Sequence, residues 1–197
     1  SKHDYARTIA ASIAWLLNRQ GDAVGLTLFD ESVRMVVPAR YRPGQLRRLL
    51  LTLEEPASGL QTNPGEALEH AARRLHRRGM VALVSDLLAP IEQVAEGLKV
   101  LRGCGHDVVV FQVLDPAELT LQFDGPRLFD DLESGQKIYS DPDATRAEYI
   151  SKVTEHNQQI QAACDAVGVT LNRLTTDQPL ELALAEFLQA RRQRGRV

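Results

Sequence analysis

The chain has 197 residues, a net charge of −3 at pH 7, 44% hydrophobic residues and 25% charged residues. This length suits one domain that folds without needing disulfides or metals, and the weak net charge gives no electrostatic reason to expect binding to nucleic acid or an anionic membrane. No apolar run reaches the roughly 18 to 20 residues that span a bilayer, and the first residues lack the apolar core of a signal peptide.

The two cysteines, Cys104 and Cys164, stand far apart without a CxxC or CxxH companion. This pattern predicts reduced, buried thiols rather than a disulfide framework or a zinc site. We therefore expect a cytoplasmic protein, or one at the cytoplasmic face of the membrane if the parent protein carries membrane helices.

The N-terminal third of the chain predicts a helix followed by a hairpin. Apolar residues recur at helical spacing over 2–20, and Trp15 widens the stripe, so this helix should be largely buried. Residues 22–30 predict a strand, and 32–37 predict its antiparallel partner. Pro38 should close the second strand, because proline cannot donate to a continuing ladder.

The stretch 80–88, MVALVSDLL, is the most informative of the chain. Its five apolar residues indicate a strand buried on both faces of a parallel sheet, and Ser85 and Asp86 follow at the carboxyl end. Open α/β sheets bind their ligands at that end, so Asp86 is the first candidate for chemistry. The preceding helix begins at Pro64 with Asn63 as its cap.

The whole pattern predicts one α/β domain over 1–197, with three layers, a mostly parallel sheet and helices on both faces. Parallel-type strands are expected at 22–30, 80–86, 106–114 and 169–174, and the antiparallel hairpin forms one edge of the sheet. Further helices are expected at 43–53, 90–102, 142–168 and 180–191. A second hairpin or arm is expected at about 119–140.

The first element of the predicted fold is a buried helix, although in right-handed β-α-β units a strand normally precedes such a helix. We therefore expect that the first central strand is missing, that the domain is truncated at its N-terminus, and that strands 22–30 and 80–86 flank the vacancy.

Thr62 and Asp86 are the candidate metal ligands, because a hydroxyl and a carboxylate at one sheet edge are hard oxygen ligands of the kind Mg²⁺ prefers. The alternative is a local turn hydrogen bond for Thr62 and a helix-capping role for Asp86. Asp30, Glu31 and Asp115 could add carboxylates, although acidic residues at strand exits are common turn formers.

Other kinds of site have weaker support. The glycine-rich dinucleotide, P-loop and nucleophile-elbow motifs are absent. The histidines lack metal-ligand spacing and are predicted to be structural or solvated: His3, His70, His76, His106 and His156. Six arginines could form a basic patch or simply solvated helix faces: Arg47, Arg48, Arg73, Arg74, Arg77 and Arg78.

Several phrases, taken together and in order, resemble a known family. They are RQGDAVGLTLFDESV, SGLQTNPGEAL, GMVALVSDLL, LDPAELTLQFDGPRLFDDLESG and TDQPLELALAEFL. They are similar to the bacterial von Willebrand factor A-like proteins of domain-of-unknown-function family fifty-eight, which are often associated with MoxR-type AAA+ ATPases. The resemblance covers nearly the whole chain.

This resemblance implies an A-domain fold with a metal-ion-dependent adhesion site, built from a D-x-S-x-S strand end, a threonine loop and an aspartate loop. Thr62 and Asp86 match the second and third parts. The first part is absent, since its nearest match begins at Asp30 after the wrong strand and has Arg34 in place of the second serine. We expect Mg²⁺ or Mn²⁺ in a complete parent protein and no tight metal binding by this chain.

The leading hypothesis is a non-enzymatic interaction module, an adaptor for a MoxR-type ATPase that binds a partner's carboxylate through the metal when the site is complete. The alternatives are a metal-dependent hydrolase or phosphotransferase that uses Asp86, and a structural scaffold without a working site.

Overall fold

The computed structural model describes residues 1–56, 62–123, 125, 127–130, 137–140 and 142–193. In chain order its elements are α1 Lys2–Arg19, β1 Val24–Phe29, β2 Val33–Arg40, α2 Gln45–Leu53, α3 Pro64–Arg74, β3 Met80–Ser85, α4 Ile91–Gly103, β4 Asp107–Leu114, α5 Pro116–Thr120, β5 Arg127–Asp130, β6 Lys137–Ser140, α6 Pro142–Ala166, β7 Thr170–Thr175 and α7 Leu180–Gln193.

A three-stranded parallel sheet in the order β3-β4-β7 forms the centre of the fold. Ser85 at the end of β3 faces Gln112 of β4, and Leu114 at the end of β4 faces Thr175 of β7. The carboxyl ends of the three strands therefore meet at one edge. This arrangement, with helices on both faces, confirms the predicted α/β three-layer class.

Side chains of β4 supply the core on both faces of the sheet, because successive residues of a strand point to opposite sides. Val108 and Val110 belong to a cluster with residues of α4 and α6, such as Leu98 and Ile160. Phe111 belongs to the cluster on the opposite face, with residues of α1 and α7, and its ring packs edge-on against Phe187 with the centroids 5.0 Å apart. Helical cover on both faces explains why β4 is apolar over most of its length.

The first hairpin, β1 and β2, is a separate two-stranded antiparallel sheet. Strand 22–30 was expected to run within the parallel sheet, but its partner among the described strands is β2 alone. Helix α1 contacts both β1 and β3, while none of the described strands pairs with the outer edge of β3 or the second edge of β1. No described strand thus occupies the predicted vacancy, and β1 has no parallel neighbour to bond with.

The prediction that Pro38 ends the second strand is wrong, since β2 continues through it to Arg40. The ladder register shifts at this point: Val24 faces Arg40, whereas Leu26 faces Val37. A bulge leaves a residue outside the regular ladder, so the strand tolerates a proline that cannot donate. Gly25 lies opposite this irregularity.

Helix α1 is less buried than its apolar stripe predicts. Ile9 and Ile13 lie in the core, but Trp15 is 48% exposed. The guanidinium of Arg19, one turn further along, lies 5.0 Å from the centroid of the indole ring. The apolar stripe of α1 is therefore wider than the part of the helix that lies in the core, and Trp15 remains at the surface.

The arm at about 119–140 contains the predicted hairpin, with β5 and β6 antiparallel. The turn between them falls outside the described residues. Helix α5 precedes this hairpin and was not predicted; Asp115 and Glu118 form its capping box. An aspartate followed by a proline, with a glutamate three residues after the aspartate, is a pattern from which the start of this helix could have been predicted.

Candidate functional site

The loop that follows β3 has a defined conformation set by its own side chains. Ser85 Oγ accepts a hydrogen bond from the backbone N–H of Leu87 at 3.1 Å, and Asp86 Oδ1 accepts one from Leu88 at 3.3 Å. Leu87 is fully buried and has a φ of 59°. A leucine in the left-handed region is uncommon and is held there by its surroundings. Asp86 therefore makes a local turn hydrogen bond, whereas the alternative expected it to cap the following helix; the N-cap of α4 is Pro90, without a side-chain hydrogen bond.

The second oxygen of Asp86 pairs with a cation supplied by the chain itself. Lys2 Nζ lies 3.1 Å from Asp86 Oδ2 and 2.6 Å from Glu118 Oε1. Lys2 is the first residue of α1, and Glu118 lies in α5. The side chains of Lys2 and Asp86 are 29% and 28% exposed, so the pair is partly shielded from water.

The charge state of Lys2 follows from this environment. Burial alone would lower its pKa, but the hydrogen bond to Glu118 and the charges of Asp86 and Glu118 outweigh burial, and the net pKa is raised. The ammonium form is thus favoured at neutral pH. Glu118 and Lys2 also act on Tyr149, whose pKa is raised by burial and by Glu118 and lowered to a smaller extent by Lys2.

A buried amide of β4 holds the Asp86 loop by a hydrogen bond. Gln112 of β4 is 0% exposed, and its Nε2 donates to the Asp86 carbonyl at 3.3 Å and to Asn157 Oδ1 at 2.9 Å. Its Oε1 accepts from Arg173 Nε at 2.9 Å. His156 Nε2 lies 2.9 Å from the Leu87 carbonyl. The loop is therefore tied to β4 and α6, and through Gln112 to β7.

Thr62 lies at the same edge, just before α3. Asn63 caps that helix, with its Oδ1 accepting from the Glu66 N–H at 3.1 Å, while its own N–H donates to the Asp30 carbonyl at 2.7 Å. Gly65 packs closely on Gln93 in the first turn of α4. The two helices that follow the candidate loops thus start side by side. Thr62 is exposed and forms no hydrogen bond with Asp86.

The other carboxylates considered from the sequence have structural partners of their own. Asp30 Oδ2 lies 3.2 Å from Arg34 Nε, the residue that stands where the second serine of the adhesion motif would be. Asp115 Oδ1 accepts from the Ala117 N–H at 2.9 Å, and its Oδ2 accepts from Thr176 Oγ1 at 3.3 Å. Glu31 is exposed.

The residues present do not fit a tight divalent-cation site. A metal that bound Asp86 would have to share the carboxylate with Lys2, and one that bound Asp30 would have to share it with Arg34. Within the described ranges there is no group of three or more His, Cys, Asp or Glu residues placed to hold a metal ion. Mg²⁺ keeps its waters unless several protein oxygens replace them, and this edge does not offer them.

The family described as protein of unknown function DUF58 matches residues 1–159. The chain belongs to this family.

The relatives of this DUF58 chain include mycobacterial proteins described as uncharacterized. Mb1516 of Mycobacterium bovis and Rv1480 of Mycobacterium tuberculosis are each 27% identical over 198 residues, which cover 97% of this chain and 61% of theirs. MAV169 of Mycobacterium avium is 27% identical over 161 residues, which cover 79% of this chain and 94% of its own. The chain thus spans about three fifths of the length of the first two relatives.

Two solved structures share the fold of the DUF58 chain. An aerotolerance-related membrane protein from Bacteroides fragilis has a TM-score of 0.58 at 15% identity, over 93% of this chain and 85% of that one. The conserved hypothetical protein BatB from Bacteroides thetaiotaomicron has a TM-score of 0.54 at 16% identity, over 94% of this chain and 88% of that one. In the described part of this chain, every helix is too short or too polar to cross a bilayer.

The remaining sequence predictions for this DUF58 chain have mixed outcomes. Both cysteines are free, as predicted, but only Cys164 is buried, because Cys104 lies at the exposed end of α4. His106 is buried and His3 is exposed, which agrees with structural or solvated roles. All six arginines of the possible basic patch are exposed.

Sequence reasoning missed two important residues of the edge. Gln112 could have been noticed as the polar residue in the apolar run of β4. Lys2 carries no such signal, because its partner Asp86 lies 84 residues away and the ion pair depends on tertiary structure.

Proposed function

We propose that this chain is a non-enzymatic protein-interaction module that binds its partner at the carboxyl edge of the parallel sheet. The partner we propose is a MoxR-type AAA+ ATPase, and the place is the cytoplasm or the cytoplasmic face of the membrane. The partner class comes from the sequence resemblance, with which membership of DUF58 agrees.

The exposure of Leu88 is the main observation that supports the proposal. This leucine is 59% exposed and lies between Asp86 and α4, next to the fully buried Leu87. The loop that presents Leu88 is held at two successive carbonyls, that of Asp86 by the Gln112 amide and that of Leu87 by the His156 ring. A preformed loop loses little conformational entropy on binding. An exposed apolar side chain bordered by charged groups suits an interface that has an apolar core and a polar rim.

The state of Asp86 supports binding over catalysis. A hydrolase or phosphotransferase would need this carboxylate as a metal ligand or as an acceptor for the transferred group. Here one oxygen pairs with Lys2 and the other accepts from the Leu88 N–H. Both oxygens are used to position the loop, which suits a docking surface.

Binding of the purified chain to the MoxR-type ATPase of the same organism tests the proposal, with biolayer interferometry as the measurement. We expect Leu88→Ser to weaken binding by about tenfold or more, as loss of a central apolar contact does. The matched control is Leu182→Ser, which removes a leucine that is 62% exposed on α7. Equal loss in both variants would count against the loop, and absence of binding by the unaltered chain would count against this partner.

Two further measurements separate the module from the alternatives. Titration with Mg²⁺ and Mn²⁺ of this chain and of a version extended by a strand that ends in D-x-S-x-S asks whether that motif completes a metal site. Binding by the extended version alone, lost in Thr62→Ala, supports the resemblance to an adhesion site. Turnover of p-nitrophenyl phosphate by the unextended chain, abolished by Asp86→Asn, would instead support the hydrolase.

A further inference from the structure

We infer that Lys2 competes with divalent cations for Asp86, so that its ammonium group acts as a tethered counter-ion that closes this edge to Mg²⁺ and Mn²⁺. The inference concerns the same edge as the proposed interaction. It is tested on the chain alone, without a partner, so the two proposals can fail separately.

Each carboxylate oxygen of Asp86 already has a partner. Lys2 Nζ lies 3.1 Å from Oδ2, and the Leu88 N–H donates to Oδ1 at 3.3 Å. A divalent ion would bind a carboxylate oxygen at about 2.0 to 2.6 Å, within the space that the ammonium faces. A metal ion bound there would lie next to the Lys2 ammonium. Two neighbouring cations repel strongly in a partly shielded site, so the metal and Lys2 exclude each other.

Lys2 is also held from a second direction. Its Nζ lies 2.6 Å from Glu118 Oε1, and the other oxygen of Glu118 accepts from the Asp115 N–H at 3.2 Å. Glu118 is thus fixed in the capping box of α5. Moving the Lys2 ammonium away from Asp86 would therefore also disturb its ion pair with Glu118 of α5. This second contact favours the arrangement in which Lys2 pairs with Asp86.

The position of Lys2 in the chain links this pair to the start of α1. Lys2 is the first residue of that helix, directly after the Ser1 cap. The ion pair joins the first turn of α1 to the exit of β3. We expect a cation that displaces Lys2 to loosen the first turn and, because coupling between two equilibria is reciprocal, a firmly held first turn to weaken cation binding to the same extent.

Titration with Mn²⁺, followed by calorimetry on the whole 197-residue chain, tests the competition. We expect Lys2→Met to bind Mn²⁺ at least about tenfold more tightly than the unaltered chain, a coupling of ordinary size. Adding Asp86→Asn to Lys2→Met should remove the gain. The matched control is Lys152→Met, which removes the same charge from the exposed pair with Glu148 on α6 and should leave the affinity unchanged.

Equal Mn²⁺ affinity in the unaltered chain and Lys2→Met would overturn the inference, as would a gain that survives Asp86→Asn. If Lys2→Met does not fold, hydrogen exchange of the unaltered chain decides the matter. Competition predicts that protection of the Tyr5 amide, which donates to the Ser1 carbonyl at 3.1 Å and closes the first turn of α1, falls as Mn²⁺ is added. Protection that stays constant while calorimetry shows Mn²⁺ bound would refute it.

Discussion

Gln112 Nε2 lies 2.9 Å from Asn157 Oδ1, and this hydrogen bond ties the central strand of the sheet to α6. The contact lies at the carboxyl end of β4, beyond the apolar cluster that contains Ile160. A fully buried amide at this point has to satisfy all of its polar atoms, and Gln112 does so with Asn157, the Asp86 carbonyl and Arg173. The edge that carries the candidate site is thus anchored in the core.

Replacing this amide should destabilise the protein. Gln112→Leu keeps the size of the side chain but leaves the Asp86 carbonyl and Asn157 without their donor, which costs about 1 to 3 kcal/mol. Urea unfolding measures the loss. Gln159→Leu is the control, because Gln159 is exposed and, among the described residues, hydrogen-bonds only Glu155 on its own helix. Equal stability of the two variants would show that the buried network contributes little.

Gly25 is predicted to tolerate no side chain. A Cβ at this position would lie 2.7 Å from the Ala39 nitrogen and 2.8 Å from the Val37 carbonyl oxygen, and both are backbone atoms of the paired strand. Gly25→Ala should therefore cost about 1 to 3 kcal/mol, as overpacking does. Thermal unfolding followed by circular dichroism measures the change.

Gly103 provides the matched control for Gly25. It is the last residue of α4, and a Cβ there meets nothing within 4 Å. Gly103→Ala should leave stability unchanged or raise it by up to about 1 kcal/mol, because alanine is the better helix former. A loss as large as that of Gly25→Ala would contradict the steric explanation.

The layers of this fold were predictable because they depend on local patterns. The run DVVVFQVL gives β4, and the cap at Asn63 with Pro64 and Glu66 gives the start of α3. Such signals are written within a few residues of each other. Hydrophobic periodicity and capping chemistry therefore suffice for them.

What the sequence did not reveal depends on distant parts of the chain. Whether strand 22–30 joins the parallel sheet is decided by what lies beside it, and its own composition is compatible with both outcomes. Trp15 fits an apolar stripe, yet its exposure depends on how α1 sits against the hairpin and the sheet. The pairing of Lys2 with Asp86 joins the first turn of α1 to the exit of β3, two segments that no local sequence pattern connects.

The core on the α4 side should be sensitive to truncation. Leu98 is fully buried between helix and sheet, and Leu98→Ala should cost about 2 to 5 kcal/mol through lost contacts and the cavity left behind. Leu182→Ala, on the exposed side of α7, should change stability by less than about 0.5 kcal/mol. Chemical unfolding of both variants tests this difference, and a small effect of Leu98→Ala would show that the cluster repacks.

The two thiols should differ sharply in reactivity. Cys104 is exposed, whereas Cys164 is fully buried, and burial followed by the charge of Asp165 raises the pKa of its thiol to about 11. Because the thiolate is the reactive form, a disulfide reagent at pH 8 should modify Cys104 rapidly and Cys164 only as the protein unfolds. Cys104→Ser should abolish the fast phase, and Cys164→Ala should retain it.

The same shift predicts how stability changes at alkaline pH. The folded thiol of Cys164 has a pKa of about 11, above its ordinary value of 9.0, so between these values the folded state holds a proton that the unfolded state has lost. The stabilising contribution is complete below pH 9.0 and is lost as pH rises towards the folded pKa. Urea unfolding from pH 8 to pH 10.5 should therefore show a steeper decline for the unaltered chain than for Cys164→Ala. Parallel declines in the two proteins would mean that the buried thiol does not couple to folding.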